Sequence, residues 1–525
     1  MCPMVARPNL PATEQLLVEG GDARVALDPD SGLNKYACSP VPDPDGAAFG
    51  SSTASVISSA GFAAADRLRN RLLLASGAEP QAVIYAREID RIRRELLQLC
   101  GVADLPGLDV VFAASGTDLH MISAQLAGGT ESAPALAVMV DPAETGSCVP
   151  AALAGRHFST RSALGGTVIE GAPLAGGGTI EVVTAPIRLA DGSARQAADV
   201  DAEVESLVSG AAAMGRRVLL ILVDVSKTGL IAPSPECVSA LHRRLPDTVE
   251  VLVDACQFRI APSTLRAYLE HGFMVALTGS KFVTGPTFSG ALLIPSAVAR
   301  RLRGRPLPRA LRAYSARADW PQGWATTGFL DNVANFGLLL RWEAALQELR
   351  AFRSVPQAEV GRFLQAFAHA VQSRLGSDPV LESLPLPQLD RRPLIEATSW
   401  DHIPTIFPFL LYRPETRAGK APLSREETMR VYRLLQVDPA GRHDLDLAGS
   451  TGDIATLRCQ LGQPVACGNR GGVPLSALRL CASARLVVEA TSGEGRNAPA
   501  VIERALAALD KTVLLVLDKT ASRQR

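Results

Sequence analysis

Seven short apolar runs, separated by longer amphipathic segments, place the strongest constraint on how this chain can fold. Each run has the length of one strand and is almost entirely apolar, as in strands that are buried on both faces of a helix-covered parallel sheet. Helical periodicity at 199–214 and 235–245 supplies crossover helices. The sequence therefore predicts an α/β fold with a mostly parallel, seven-stranded sheet. The runs are Leu108–Ala113, Ala135–Val140, Ile180–Val183, Val218–Val223, Val249–Val253, Met274–Leu277 and Ala291–Ile294.

The chain has 525 residues, which is too long for a single small core. We expect an N-terminal arm and first helix over 1–75 and a large domain over 76–330. A linking helix and a smaller C-terminal α+β domain follow over 331–525. The helical run Val333–Phe352 opens this last part, and Ile406–Tyr412 and Ala477–Cys481 are its predicted strands. The glycine-rich stretch 151–178 interrupts the large domain as an excursion or hairpin.

The composition narrows the class of function. Lys plus Arg and Asp plus Glu both number 53, so no global positive charge exists to hold nucleic acid or an anionic membrane. No apolar run reaches the roughly 18 residues that span a bilayer, and the first residues do not resemble a signal peptide. Nine scattered cysteines without a Cys-x-x-Cys pair favour the cytoplasm. We expect a small-molecule substrate and no metal site.

The strongest local signal is the lysine in Thr278-Gly279-Ser280-Lys281, directly after a predicted buried strand. Burying an ammonium group is costly, so this position favours a neutral or chemically modified lysine. Lysine is also the residue that forms Schiff bases with carbonyl compounds. On this spacing alone, a loop lysine that points into water is an equal alternative.

A carboxylate and a glycine turn strengthen the case for a site. Asp254 ends the strand before that of Lys281, and both would lie at the carboxyl edge of the sheet, where open α/β folds bind ligands. Alone, Asp254 could equally be a helix N-cap. Gly116 and Thr117, in the turn after the first strand, would expose backbone N–H groups and a helix N-terminus to an anion. Such a turn is weak evidence by itself.

Together these residues resemble the class V aminotransferase branch of fold-type-I enzymes that use pyridoxal 5'-phosphate (PLP), a group that includes cysteine desulfurases and kynureninase. The likeness covers roughly residues 105–345, with a fainter trace to about 490. It implies the PLP-dependent transferase fold, with Lys281 holding PLP as a Schiff base and Asp254 facing the ring nitrogen. It also implies further cofactor contacts, namely Gly116, Thr117, Thr278 and Ser280 at the phosphate, Gln257 at the ring hydroxyl, and Ser226 where an asparagine is common.

The resemblance implies substrate and subunit contacts as well. Arg479 matches a strand arginine that grips a substrate carboxylate with two hydrogen bonds, although it could be a surface arginine. Asn34 and Tyr36 resemble an arm that closes the substrate pocket, with a plain polar loop as the alternative. Thr327 looks like the threonine that reaches the phosphate of a partner subunit. This implies a homodimer with shared active sites.

The chain departs from that pattern after Ala135–Val140, where Glu144-Thr145-Gly146 replaces the ring-stacking histidine. In addition, Gly285-Pro286 arrives one residue late after Lys281. His120 could approach the cofactor, but a partly exposed helix residue is the commoner case. Something other than the usual histidine must therefore cover the ring.

PLP supplies the electron sink, and the protein decides which bond at Cα breaks. A displaced Lys281 can serve as general base for transamination and for elimination alike. Aminotransferase is the first choice; a cysteine desulfurase-like or other C–S or C–C lyase and a non-catalytic scaffold are the alternatives. A desulfurase needs a reactive thiol, and Cys467 is a candidate, but an ordinary buried cysteine is favoured. Cys256 is expected to face away from the ring.

Overall fold

The structure is a computed structural model, and it describes residues 10–129, 134–178, 180–396, 399–416, 419–437, 452–493 and 495–517. Most of its strands lie within the first 300 residues, and five α-helices and five strands of the described residues follow the helix Phe336–Arg353. The strands are β1 (Ala47–Phe49), β2 (Asp109–Ala113), β3 (Ala135–Val140), β4 (Ile180–Ala185), β5 (Val218–Asp224), β6 (Ile231–Ala232), β7 (Val249–Ala255), β8 (Met274–Thr278), β9 (Gly290–Ile294), β10 (Leu381–Ser383), β11 (Ile406–Thr416), β12 (Gly419–Pro422), β13 (Cys459–Arg470) and β14 (Val473–Cys481).

The helices connect these strands and cover the sheets. They are α1 (Thr13–Leu17), α2 (Ser59–Ala75), α3 (Gln81–Leu99), α4 (Gly116–Ala127), α5 (Val149–Leu153), α6 (Ala197–Ala213), α7 (Pro235–Arg244), α8 (Pro262–Glu270), α9 (Ser296–Leu302), α10 (Phe336–Arg353), α11 (Gln357–Ser377), α12 (Arg425–Leu435), α13 (Gly452–Thr456), α14 (Ala484–Thr491) and α15 (Ala498–Leu517). None of these helices is long and apolar enough to cross a membrane.

The large sheet confirms the predicted α/β fold. Its strands run in the order β2-β9-β8-β7-β5-β3-β4, and the two-residue β6 pairs with β5 at the side. All seven predicted runs are strands of this sheet, with ends within two residues of the predicted ones. Every residue of β3, β5, β7 and β8 is buried, while β4 at the sheet edge is partly exposed.

Strand direction decides where the functional groups meet. β3, β5, β7 and β8 are parallel to one another, and β9 is antiparallel to both β8 and β2. β2 therefore runs in the same direction as β8. The turns that follow β2, β8, β7, β5 and β3 consequently lie at one edge of the sheet, where ligands bind in open α/β folds.

The smaller C-terminal α+β part forms a second sheet in the order β1-β13-β14-β11-β10, with β12 paired to β11. Its first strand comes from the N-terminal arm, since β1 pairs in parallel with β13. The arm is thus built into the C-terminal sheet. The boundaries at 75 and 330 stay a prediction.

The linking helix α10 begins three residues later than the predicted start at Val333. Asn335 explains the shift, because its side-chain oxygen accepts a hydrogen bond from the backbone N–H of Leu338 and so caps the helix. The 151–178 excursion contains two antiparallel bridges, Arg156 with Pro173 and Arg161 with Thr167. It is a hairpin-like insertion, as the sequence predicted.

Candidate active site

A cavity of about 200 Å³ opens at the carboxyl edge of the large sheet. Its wall combines the turns after β2, β3, β5 and β8 with residues of the N-terminal arm and of the β13–β14 pair. A larger cavity of about 470 Å³ lies between the arm and the C-terminal helices, but neither Lys281 nor Asp254 lines it. We therefore assign the candidate active site to the smaller cavity.

Lys281 follows β8 by three residues and lines this cavity with a half-buried side chain. Burial lowers the pKa of Lys281, and the positive charges of Arg479 and Arg259 act in the same direction, against the carboxylate of Asp254. A lower pKa increases the fraction of neutral amine, which is the form that attacks a carbonyl. The lysine does not project from a loop into bulk water.

Asp254 lies one residue from the end of β7 and also lines the cavity. Its Oδ2 is 3.3 Å from Nε2 of His120, and its Oδ1 accepts a hydrogen bond of 3.1 Å from the backbone N–H of Cys256. Burial opposes ionisation, but His120 holds the pKa of the Asp254 carboxyl well below its usual range. The carboxylate is thus negatively charged and faces the cavity.

His120 lines the cavity, which is one of the two positions that the sequence left open for it. Only 1% of it is exposed, so the expected partly exposed helix position is wrong. Its Nδ1 lies 2.8 Å from the carbonyl oxygen of Gly116, one helical turn earlier, and this contact fixes the ring. Burial alone would lower the pKa of His120, but Asp254 raises it above its usual value. The spacing of four residues between Gly116 and His120 indicates this position, because it places both on one face of the first helical turn.

The glycine turn is held open by close packing. Gly116 is the first residue of α4, and a Cβ there would lie 2.8 Å from the sulfur of Cys256. The hydroxyl of Ser115 caps the helix by accepting from the N–H of Asp118. Because the turn has no side chain at Gly116, the N-terminus of α4 stays accessible to an anion.

Arg24 adds a positive charge to this turn and was missed by the sequence analysis. It comes from the arm, and its guanidinium donates to the hydroxyls of Thr117 at 3.2 Å and Ser115 at 3.3 Å. It also pairs with Asp22 at 2.6 Å and lies 4.8 Å from the ring centre of Phe288. No local pattern near Arg24 distinguishes it from the other arginines of the chain.

Thr278 and Ser280 line the cavity, as the resemblance implies. The hydroxyl of Thr278 donates to the carbonyl oxygen of Cys256 at 2.6 Å, which ties the ends of β7 and β8 together. Cys256 corrects an expectation, because it lines the cavity instead of facing away from it. Its side chain fills the space that Gly116 leaves free.

Gln257 and Ser226 lie behind the cavity wall. Gln257 donates to the carbonyl oxygen of Ser52 at 3.0 Å, and its own amide oxygen faces the guanidinium of Arg259 at 3.4 Å. The hydroxyl of Ser226 donates to Glu144 at 2.8 Å. The side chains of Gln257 and Ser226 therefore form hydrogen bonds within the protein. Their predicted contacts with PLP stay predictions.

Thr327 and Asn34 are also absent from the wall. Thr327 is fully buried and donates to the carbonyl oxygen of Trp324 at 2.6 Å. Its hydroxyl is enclosed in its own chain, and the expectation that it reaches a partner subunit stays a prediction. Asn34 donates to Thr287, a wall residue, at 3.2 Å and so supports the pocket indirectly.

The position of the missing histidine is occupied by a short polar turn. Glu144 is buried and accepts hydrogen bonds from Arg188 at 2.6 Å and from the hydroxyl of Thr228. Burial would raise its pKa, but Arg188 holds it below the usual range. Thr145 and Gly146 line the cavity, and the hydroxyl of Thr145 is buried without a partner among the described residues.

Arg479 on β14 lines the cavity and is 1% exposed. Its Nη2 donates to the hydroxyl of Thr53 at 2.9 Å and to the carbonyl oxygen of Gln463, and its Nη1 donates to the carbonyl oxygen of Lys227 at 3.3 Å. Its Nε has no partner among the described residues. Tyr36 lines the same cavity and meets the ring of Phe288 edge-on.

Lys227, which follows β5, is a second lysine of the wall that the sequence analysis did not single out. Burial lowers its pKa to about 7, and the nearby charges of Lys281 and Arg479 contribute. Cys467, in contrast, is 1% exposed, belongs to an apolar cluster with Leu410 and Leu475, and does not line the cavity. The prediction of an ordinary buried cysteine is confirmed.

The arrangement has three chemical capabilities. The turn at Gly116 with Arg24 can bind an anion, Lys281 can form a Schiff base, and Asp254 can stabilise a protonated nitrogen. Two buried polar atoms at the wall have no partner among the described residues, namely the hydroxyl of Thr145 and Nε of Arg479. Such atoms are rare in folded proteins and point towards a ligand.

No known family profile matches the sequence, and no curated protein matches it. Solved structures do match. The cystine C–S lyase C-DES superposes with a TM-score of 0.53 at 15% identity, over 88% of this chain and 98% of its own. The cysteine desulfurase CsdA of Escherichia coli superposes with a TM-score of 0.50 at 14% identity, over 89% of this chain and 95% of its own. A NifS-like protein superposes with a TM-score of 0.51 at 13% identity, over 88% of this chain and 99% of its own. The chain thus has the fold-type-I fold that the resemblance implied.

Proposed function

We propose that this protein is a PLP-dependent enzyme that acts on an amino acid or a related amine through Lys281. The observation that carries the proposal is the meeting of Lys281, Asp254 and the open turn at Gly116 in one cavity. These groups come from three different strands of one sheet. A structural role alone would not require a half-buried lysine beside a buried carboxylate.

The residues present fit the groups that PLP carries. The turn at Gly116 and the guanidinium of Arg24 suit a phosphate, which prefers helix N-termini and arginine. Asp254, held ionised by His120, suits a protonated pyridine nitrogen. Lys281 supplies the amine for the aldehyde. The fold, shared with the solved structures above, supports the same cofactor.

When bound, PLP supplies an electron sink for the bonds at the substrate Cα. The remaining steps belong to the chain. Arg479 binds the substrate carboxylate, since its buried guanidinium has an unpartnered Nε at the wall. Lys281 would take the Cα proton, and its lowered pKa keeps a neutral base available. Tyr36 and Thr53 of the arm line the cavity beside these groups.

The reaction we propose is amino transfer. The second candidate is a carbon–sulfur lyase, which the shared fold of a cystine C–S lyase favours. A desulfurase that carries sulfur on its own thiol is less well supported, because Cys467 is buried away from the cavity. The third candidate is a non-catalytic scaffold. It does not explain why a lysine with a lowered pKa lines the cavity.

The test is a visible absorption spectrum of the purified protein mixed with PLP, beside the Lys281→Ala variant. We expect the wild type to show the visible band of a PLP–lysine Schiff base, and the variant to lack it and to lose turnover. Lys35→Ala is a matched control, since Lys35 is exposed and follows no strand of the sheet. A protein without this band, or equal bands in wild type and Lys281→Ala, would reject the proposal.

A substrate screen then separates the two reactions. An aminotransferase needs a 2-oxo acid as second substrate and releases a new 2-oxo acid. A lyase releases ammonia without any acceptor. Acceptor-independent ammonia release from a sulfur amino acid would favour the second candidate over the first.

We also propose that the protein works as a homodimer in the cytoplasm, as the resemblance implies. The position of Thr327 does not support shared active sites through that residue. Light scattering on the purified protein measures the assembly directly.

A further inference from the structure

The cavity wall carries more positive charge than the proposed cofactor and a single carboxylate can match. Five of its side chains are basic, namely Arg24, Lys35, Lys227, Lys281 and Arg479. Among the described residues that line it, Asp254 is the only acid, and His120 already pairs with it. The excess charge calls for anions that a ligand must bring.

Four of the five bases have an assigned place. Arg24 pairs with Asp22 and points at the anion-binding turn. Lys281 is the proposed Schiff-base lysine, and Arg479 the proposed partner of the substrate carboxylate. Lys35 is exposed at the rim, where water solvates it. Lys227 is half-buried and has no assigned role, and its side-chain ammonium makes no hydrogen bond or ion pair within the described part of the chain.

The topology places Lys227 on the substrate side of the cavity. It follows β5, whereas the anion-binding turn follows β2, and β9, β8 and β7 lie between those two strands. Its carbonyl oxygen accepts a hydrogen bond of 3.3 Å from Nη1 of Arg479. Lys227 therefore neighbours the proposed site of the α-carboxylate and is separated from the proposed site of the cofactor phosphate.

We propose that Lys227 binds a second acidic group of the substrate, so that the enzyme acts on a dicarboxylic amino acid. This inference rests on the proposed function and names its substrate class. An unpaired ammonium in a half-buried position is unfavourable, and a side-chain carboxylate offsets that cost with a charge-assisted hydrogen bond. One ammonium matches one carboxylate.

The test uses unreactive acids with the PLP-loaded protein. Succinate carries two carboxylates, butyrate has the same number of carbons with one, and isothermal titration calorimetry measures both affinities. We expect succinate to bind about tenfold more tightly than butyrate. Lys227→Met should remove this preference by weakening succinate alone. Lys227→Arg should restore part of it, and Arg479→Met should weaken both acids.

Lys35→Met is the matched control, because it removes the same charge from the exposed rim, and it should retain most of the preference for succinate. Equal affinities for the two acids in the wild type would overturn the proposal, as would an unchanged preference in Lys227→Met. Loss of the visible band from Lys227→Met would assign Lys227 to the cofactor instead and also overturn it. If the wild type itself lacked the visible band, the proposed PLP-dependent function would be rejected, which is a separate outcome from these.

Discussion

At the residue scale, the candidate site depends on contacts that leave little room for change. Gly116 is the clearest case, because the sulfur of Cys256 occupies the space beside its Cα. The same packing keeps the N-terminus of α4 open towards the cavity. Affinity for an anion at this turn therefore depends on a missing side chain as much as on the residues present.

We expect Gly116→Ala to weaken PLP binding by about 1–3 kcal/mol, the usual cost of overpacking. Its Cβ would lie 2.8 Å from the sulfur of Cys256, so either the turn or the cysteine must shift. Titration with PLP, followed by the visible band, measures the affinity. Cys256→Ala in the same chain should recover part of it.

Gly210→Ala is the control for this change, because Gly210 lies within α6 and a Cβ there meets open space. It should leave PLP binding unchanged and slightly stabilise the helix. Unaltered affinity in Gly116→Ala, or no recovery in the double variant, would contradict the steric argument.

At the element scale, buried arginines join segments that are distant in sequence. Arg259, just after β7, is 1% exposed and donates to the carbonyl oxygens of Ala482 at 2.9 Å and Thr405 at 3.3 Å. It also donates to the hydroxyl of Ser51 at 2.8 Å. One side chain thus connects the large sheet, the C-terminal sheet and the arm. Burial lowers its pKa to about 10, which still leaves it charged at neutral pH.

We expect Arg259→Met to lower the free energy of unfolding by about 2–4 kcal/mol, since it removes the hydrogen bonds that a buried guanidinium donates to three buried oxygens. Urea denaturation measures this loss. Arg67→Met on the exposed face of α2 is the control and should stay within about 0.5 kcal/mol of wild type. Similar values for the two variants would show that Arg259 does not join these elements energetically.

At the scale of the whole molecule, the cavity is built from all three parts of the chain. The arm contributes Tyr36, the large sheet Lys281 and the C-terminal sheet Arg479. A ligand that contacts all three favours the state in which they are assembled. Binding and global stability are therefore linked.

We expect PLP to raise the thermal unfolding temperature of the wild type, by the equivalent of about 2.7 kcal/mol at a hundredfold excess over its dissociation constant. Lys281→Ala should show a smaller rise, because only non-covalent contacts remain. Pyridoxal without its phosphate is the control ligand, and it should stabilise less since it cannot occupy the turn at Gly116. If PLP did not change the unfolding temperature, this result would argue against a site shared by the arm, the large sheet and the C-terminal sheet.

Much of this fold follows from local sequence. The buried strands are nearly continuous apolar runs of strand length, so their number and their ends could be predicted. Lys281 and Asp254 follow such strands directly, and parallel strands bring their carboxyl ends to one edge. Gly116 was found from its place in the turn after the first strand and Arg479 through the resemblance, and both line the cavity.

The sequence by itself determined the α/β class, the strands and the order of the lysine, the aspartate and the glycine turn, because these depend on apolar periodicity and on position relative to a strand end. Only the tertiary structure decided that Arg24, His120 and Lys227 join the cavity and that Gln257 and Thr327 do not. Those outcomes depend on side-chain direction and on contacts between residues far apart in the chain, such as Arg24 with Thr117. No local pattern encodes such contacts, since many polar side chains compete for the same buried partners and packing selects among them.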